Sequence, residues 1–382
     1  MQLRLPTMDG TLTRYELREP ARWPVTGAPA RSRIAYAAAH VVADPLADNA
    51  PGAPAVLDWD ATLAYRRHLW SLGLGVADAM DTAQRGMGLD WPATRELIRR
   101  SADAARDFGG TALLGCGAGT DHAAELSTLD EVVAAYEEQI ATVEDAGATV
   151  ILMCSRQLAR IAHGPADYAR VYGRLLEQVR RPVILHWLGD MFDPALAGYW
   201  GSTDLAEATR SFLDIVGTHA STVDGVKVSL LDAAHEVALR SAMPDGVRVY
   251  TGDDFNYPDL IGSGSDALLG IFDAIAPAAA AALQALDAGD RDRYDEILAP
   301  TVPLSRHVFR TPTFHYKTGI VFLAWINGHQ DAFAMVGGMQ SGRSLVQLAE
   351  TFRLADTAGL LCDPELAASR MRKLLAVQGI EG

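Results

Sequence analysis

The sequence predicts an α/β fold, a (β/α)8 TIM barrel with an N-terminal β-hairpin extension and a C-terminal helical extension. Three observations predict it. Short apolar runs alternate with helix-period segments through the middle of the chain, the pattern of repeated βα units. The runs are rich in Val, Ile and Leu without clean alternation, as parallel strands covered on both faces should be. Eight such units fill about 250 residues, the size of a closed barrel, whereas an open doubly wound sheet shares only the local pattern. The expected divisions are a hairpin extension at 1–32, a barrel at 33–300 and a helical extension at 301–382.

The opening MQLRLPTMDGTLTRYEL alternates apolar and polar residues around Asp9-Gly10. That reads as a β-hairpin and lacks the apolar centre of a signal peptide. RIAYAAAHVVA (33–43) is the first barrel strand, followed after a loop by a helix near 60–72. GVADAM (75–80) precedes PATRELIRRSADAARDF, and TALLGCGAG (111–119) precedes a helix opened by a capping box from Thr128 to Glu131. TVILMCS (149–155) leads to PADYARVYGRLLEQV, with Pro165 in its first turn. RPVILHWL (181–188) leads through a longer loop to DLAEATRSFLDIVG, and DGVKVSL (224–230) leads to DAAHEVALRSAM. VRVYTGDD (247–254) precedes a short helix at 257–262, and DALLGIF (266–272) closes the series before APAAAAALQAL.

Of the 382 residues 49% are apolar, and the formal charge is −15. Such a charge opposes nucleic acid and anionic membrane surfaces as partners. No run of about 18 apolar residues is present, so no spanning helix is expected. Cys116, Cys154 and Cys362 have neither disulfide nor zinc spacing and suit a reducing compartment. The expectation is a cytoplasmic globular protein. Among 33 basic residues only three are lysines: Lys227, Lys317 and Lys373. Arginine cannot serve as an amine nucleophile, so a lysine that survives this bias needs an explanation. Lys373 fits the amphipathic stretch SRMRKLLAV, but Lys227 sits inside an apolar strand.

Reactive side chains in such a barrel gather at the C-terminal strand ends and in the loops beyond. Those positions hold Asp78, Asp81, Thr82 and Gln84 after the second strand, and Thr120, Asp121 and His122 after the third. Cys154, Ser155 and Arg156 end the fourth, His186 and Asp190 the fifth, Lys227 and Ser229 the sixth, and Gly252, Asp253 and Asp254 the seventh. A desolvated Lys227 would have a lowered pKa and a lone pair free to attack a carbonyl. The structural alternative is a lysine paired with Asp253 or Asp254. His186 could shuttle protons or be a core histidine bonded to backbone. The two aspartates could accept substrate hydroxyls, hold a cation or cap the next helix. GCGAG lacks the spacing of a phosphate cradle, and close backbone packing explains it equally well. His315, Tyr316 and Lys317 form a polar cluster before GIVFLAWI that could reach the barrel mouth or cap that helix.

On these residues the chain resembles the dihydrodipicolinate synthase/N-acetylneuraminate lyase superfamily of class I Schiff-base barrel lyases, as a divergent branch. DGVKVS stands where that family has its Schiff-base lysine in a G-[IV]-K-x-[AS] setting. GDD at 252–254, the glycine-rich third strand with Ala and Glu following, PVILHW and the helical tail support the likeness, which runs over residues 33–345. It implies a Schiff-base-forming lyase or aldolase acting through Lys227 on a small oxo-acid or sugar-derived carbonyl compound. No cofactor and no metal are implied, and the assembly implied is a homodimer or homotetramer. Two departures stand out. Asp81-Thr82-Ala83-Gln84-Arg85-Gly86 replaces the family's Thr-Thr-Gly-Glu-like motif, which holds the carboxylate of pyruvate. Met153-Cys154-Ser155-Arg156 lacks the family's proton-shuttling tyrosine. Dihydrodipicolinate synthesis itself is therefore not expected. Ser155 or His186 takes the proton role, while Asp81, Thr82, Arg156, Gly252, Asp253 and Asp254 contact the substrate. Two other readings stay open. One is a metal-dependent barrel isomerase or hydrolase using the scattered carboxylates and histidines. The other is a catalytically inactive barrel that binds a ligand.

Overall fold

A computed structural model describes residues 2–381 apart from Pro24, Thr111 and Ala124. Thr111, where the third barrel strand was expected to begin, lies outside the described residues. Strand β1 (Gln2–Pro6) pairs antiparallel with β2 (Leu12–Glu16), turning at Asp9-Gly10 as the sequence predicts. Gly10 supplies the left-handed residue at φ 83°, which a side chain would resist.

Eight parallel strands then close into the expected barrel: β3 (Ala35–Ala38), β4 (Gly75–Asp78), β5 (Leu114–Ala118), β6 (Thr149–Leu152), β7 (Val183–Leu188), β8 (Val223–Ser229), β9 (Arg248–Thr251) and β10 (Asp266–Leu269). β10 pairs back onto β3. Between and after them run α1 (Trp59–Ser71), α2 (Trp91–Phe108), α3 (Leu129–Ala146), α4 (Arg156–Ile161), α5 (Pro165–Leu176), α6 (Leu205–Thr218), α7 (Ala233–Ala242), α8 (Tyr257–Gly262), α9 (Ile271–Ala274) and α10 (Ala276–Asp287). The tail forms α11 (Arg291–Leu298), α12 (Thr301–Val308), α13 (Tyr316–Ile326), α14 (Leu345–Thr357) and α15 (Pro364–Val377). Local chemistry starts these helices. Asp58, Asp90, Thr128, Asp204 and Asp232 each accept a first-turn backbone N–H, typically worth about 1 kcal/mol per cap. Thr128 and Glu131 form the full reciprocal capping box. Helix α4 is an addition to the sequence reading, begun by Ser155 as its cap.

Strand alternation sorts side chains into two cores. Val76, Cys116, Val150 and Val226 face outward among the helices, while Tyr36, Ala38, Ala77, Ile151, Ile184, Tyr250 and Leu268 fill the barrel interior. Lys227 pairs in register with His186 on β7 and Tyr250 on β9, so it shares the inward face. Asp78 points the other way. It forms a fully buried ion pair with Arg66 at 2.8 Å and accepts a 2.5 Å hydrogen bond from Ser101, tying β4 to α1 and α2.

Both extensions are docked. Helix α13 is buried along its whole length and packs against α9, α14 and α15. The hairpin buries Leu3 and Leu5, and Tyr15 donates a 2.6 Å hydrogen bond to Asp356 on α14. Among the described residues no helix is long and apolar enough to cross a membrane.

Candidate active site

The C-terminal ends of the strands open into a cavity of about 390 Å³ whose walls include Asp81, Arg85, Thr120, Cys154, Arg156 and His186. A side pocket of about 30 Å³ shares Asp81, Arg85, Arg156 and Asp193 with it and adds Phe314, Tyr316 and Lys317. The site therefore draws on strand ends and on the start of α13 together.

Lys227 lies at the level of His186, one strand across, with 8% of its surface exposed. Its space is made by glycine. A Cβ at Gly252 would collide with Ser229 Oγ and stand 2.8 Å from Lys227 Cε. Among the described residues no carboxylate comes within 4.0 Å of the Lys227 ammonium. Burial holds the amine below the ordinary lysine range, against the opposing pull of Asp81 and then Asp254. Those are the conditions for a neutral, nucleophilic fraction.

The two aspartates after β9 have separate tasks. Asp253 Oδ1 accepts from the backbone N–H groups of Phe255 and Asn256 at 2.8 and 2.9 Å, and thus shapes the turn into α8. Asp254 Oδ1 accepts from Ile271 N at the start of α9 at 2.8 Å, and burial raises its carboxyl above the usual range. His186 Nε2 lies 3.2 Å from Ser229 Oγ, while Nδ1 is buried without a partner. Burial, and then the charge on Lys227, push the imidazole well below its ordinary pKa, so it is neutral near pH 7.

Ser155 lies buried behind this wall. Its Oγ accepts from Leu158 N at 2.9 Å as the cap of α4 and lies 2.6 Å from Thr120 Oγ1. Arg156 is half exposed at the rim and paired with Asp193 at 2.5 Å. Thr82 Oγ1 lies 2.8 Å from Tyr316 OH, with both residues buried. Tyr316 stacks on Phe309 at 4.3 Å and feels the charges of Asp81 and Asp254, the same carboxylates that act on Lys227. Lys227, Asp81, Asp254, Thr82 and Tyr316 thus form one neighbourhood, with His186 beside it.

One family model spans residues 3–380, and its description reads "Protein of unknown function (DUF993)". The chain belongs to the DUF993 family. No curated protein matches this DUF993 chain. Solved structures do. Dihydrodipicolinate synthase from Thermotoga maritima is similar at a TM-score of 0.64 and 15% identity, covering 87% of this chain and 100% of that one. The chloride-inhibited enzyme from Acinetobacter baumannii complexed with pyruvate gives 0.63 and 15%, covering 86% and 99%. The enzyme from Aquifex aeolicus gives 0.61 and 12%, covering 91% and 99%. The expected superfamily likeness is present in the fold, with a divergent sequence.

Two residues that line the side pocket escaped assignment from sequence. Tyr316 and Lys317 were left between the mouth and a capping role, and the tertiary structure puts them on the mouth. A usable signal existed, because the scarcity of lysine marks Lys317 as much as Lys227. The carboxylates and histidines proposed as alternative ligands do not converge. Among the described residues no three His, Cys, Asp or Glu side chains are grouped so as to hold a metal ion.

Proposed function

We propose that the protein is a Schiff-base-forming lyase or aldolase that attacks a small oxo-acid or sugar-derived carbonyl compound with Lys227. The observation that carries this reading is a buried lysine amine on the inner wall of the barrel beside His186, lowered in pKa and with no carboxylate within 4.0 Å among the described residues. The neutral amine adds to the carbonyl carbon, and the carbinolamine loses water to leave an iminium. That cation accepts the electron pair of a bond broken at the neighbouring carbon. Burial helps, because it disfavours the charged ammonium that cannot attack.

Proton transfer is assigned to the Thr82–Tyr316 hydroxyl pair, whose tyrosine feels the charges of Asp81 and Asp254 as Lys227 does. His186, neutral and on the cavity wall, is assigned to a hydrogen bond with a substrate hydroxyl. Asp81 and Arg156 on the cavity wall are assigned to substrate oxygens, and Gly252 and Asp254 to holding the amine in place. Asp253 contributes by shaping the turn, and Ser155 by starting α4.

The test is borohydride reduction in the presence of a panel of oxo-acids and sugars, followed by peptide mass mapping. A reduced adduct should appear on Lys227, and Lys227→Ala should abolish both adduct and turnover. The trapping rate should rise with pH and level off below the 10.5 of an ordinary lysine, since the folded pKa is depressed. No adduct on Lys227 with any carbonyl compound would overturn the reading.

A further inference from the structure

We propose that Lys317 is the residue that binds the substrate's carboxylate and so makes the site select carbonyl compounds carrying an anionic group. The proposal rests on the reading of Lys227 as the amine that attacks. Lys317 opens α13, and the fold carries it to the side pocket with Asp81, Arg156 and Asp193. It is 4% exposed. Its ammonium spends one hydrogen bond on the carbonyl of Phe314 at 3.1 Å and lies 4.6 Å from the centre of the Tyr316 ring. Among the described residues no carboxylate lies within 4.0 Å of it, so two of its three N–H groups are open to a ligand.

The other cations in this wall are already matched. Arg156 is paired with Asp193, and Arg85 with Asp121. Of the cations lining the side pocket, Lys317 has no carboxylate within 4.0 Å among the described residues, and removing a charge from water without a partner is costly. Burial lowers its pKa to about 8, with Asp81 opposing, so at pH 7 most of it is still charged. An entering carboxylate would supply the missing counter-charge and two acceptors for the open N–H groups. The reactive carbonyl beside that carboxylate would then face the cavity lined by His186, the register partner of Lys227 one strand across. Asp81 and Arg85 of the stretch Asp81–Gly86 line the same side pocket, so Lys317 reaches that stretch from α13.

The experiment compares pyruvate with methyl pyruvate, and further 2-oxo acids with their methyl esters, in borohydride trapping at Lys227. Pyruvate affinity is measured separately by calorimetry. Wild type should be trapped at least tenfold faster by acid than by ester. Lys317→Met and Lys317→Gln should lower that ratio at least tenfold while the ester still labels Lys227, and Lys317→Arg should retain part of it. Calorimetric affinity for pyruvate should fall at least tenfold in the neutral variants. Equal trapping of acid and ester by wild type, an unchanged ratio in folded neutral variants, or an adduct on Lys317 itself overturns the proposal. The acid-to-ester comparison in wild type decides even if both neutral variants fail to fold. Absence of any Lys227 adduct defeats the nucleophile reading instead. Pyruvate binding that is lost on neutralising Lys317 would then still support the anchor, and binding indifferent to it, or absent from wild type, would refute it.

Discussion

A single missing methyl group governs whether Lys227 can lie where it does. The Lys227 side chain runs past Gly252, whose bare α-carbon leaves the room taken by Lys227 Cε and Ser229 Oγ. Gly252→Ala should therefore push the amine out of line without adding or removing a charge. The expected cost to stability is about 1–3 kcal/mol for overpacking, with trapping at Lys227 slowed at least tenfold. Borohydride kinetics on folded protein, checked by circular dichroism, measure this, and unchanged kinetics would show that the glycine is not positional. Cys154, close by, is unsuited to act as a nucleophile, since burial pushes its thiol up to about 12. The same burial that disarms the thiol favours the amine, because a thiol reacts in its charged form and an amine in its neutral form.

Elements are held in register by buried polar groups that the apolar pattern does not announce. Asp78 and Arg66 join β4 to α1, and Glu236 joins α7 to β9 and to Ser265 beside β10. Burial raises the Glu236 carboxyl to about 7 from its ordinary 4.5, against hydrogen bonds from Ser265 and Thr251 that lower it. A carboxyl raised in the folded chain holds its proton more tightly there. Its contribution is fully present below about 4.5 and is lost as pH climbs through about 7. Glu236→Gln keeps one of the two acceptor oxygens and removes the ionisation. It should stabilise the protein at pH 8, by at most about 3 kcal/mol, and change little at pH 4. Melting midpoints at the two pH values decide, and an equal shift at both would mean that the carboxyl does not titrate in this window.

At the scale of the whole molecule, the two extensions brace the barrel. The hairpin is tied to α14 through Asp356, which accepts from Tyr15 OH at 2.6 Å and from Arg18 N at 3.2 Å. Arg353 donates to the carbonyls of Leu5 and Pro6. Helix α14 in turn packs against α13, whose first residues line the mouth. Asp356→Ala should release the hairpin at a cost of about 1 kcal/mol, the loss of hydrogen bonds from the half-buried Tyr15 and the exposed Arg18. Limited proteolysis should then cut within residues 2–18 faster than in wild type. Trapping at Lys227 should persist, because α13 keeps its own contacts with α9 and α15. Loss of trapping in this variant would show that the hairpin supports the site through α14.

By itself the sequence determined the hairpin, the eight strands and most of the helix starts. Each of these is written in neighbouring residues: Asp9-Gly10 for the turn, Val-rich runs for strands, Thr128 with Glu131 for a cap. It also marked Lys227 through the scarcity of lysine and its place in an apolar run. Tertiary structure alone decided which polar residues meet. Thr82 and Tyr316 lie 234 residues apart and touch only because the barrel closes and α13 folds back over its mouth. Asp78 and Asp81 look equivalent in the sequence, yet one faces Arg66 among the helices and the other faces the cavity. Periodicity reports local geometry, whereas a site joins distant segments whose approach depends on how the whole chain packs. That is why Lys227, Asp81, Thr82, His186 and Asp254 could be named as candidates from the sequence, while the meeting of Thr82 with Tyr316 could not.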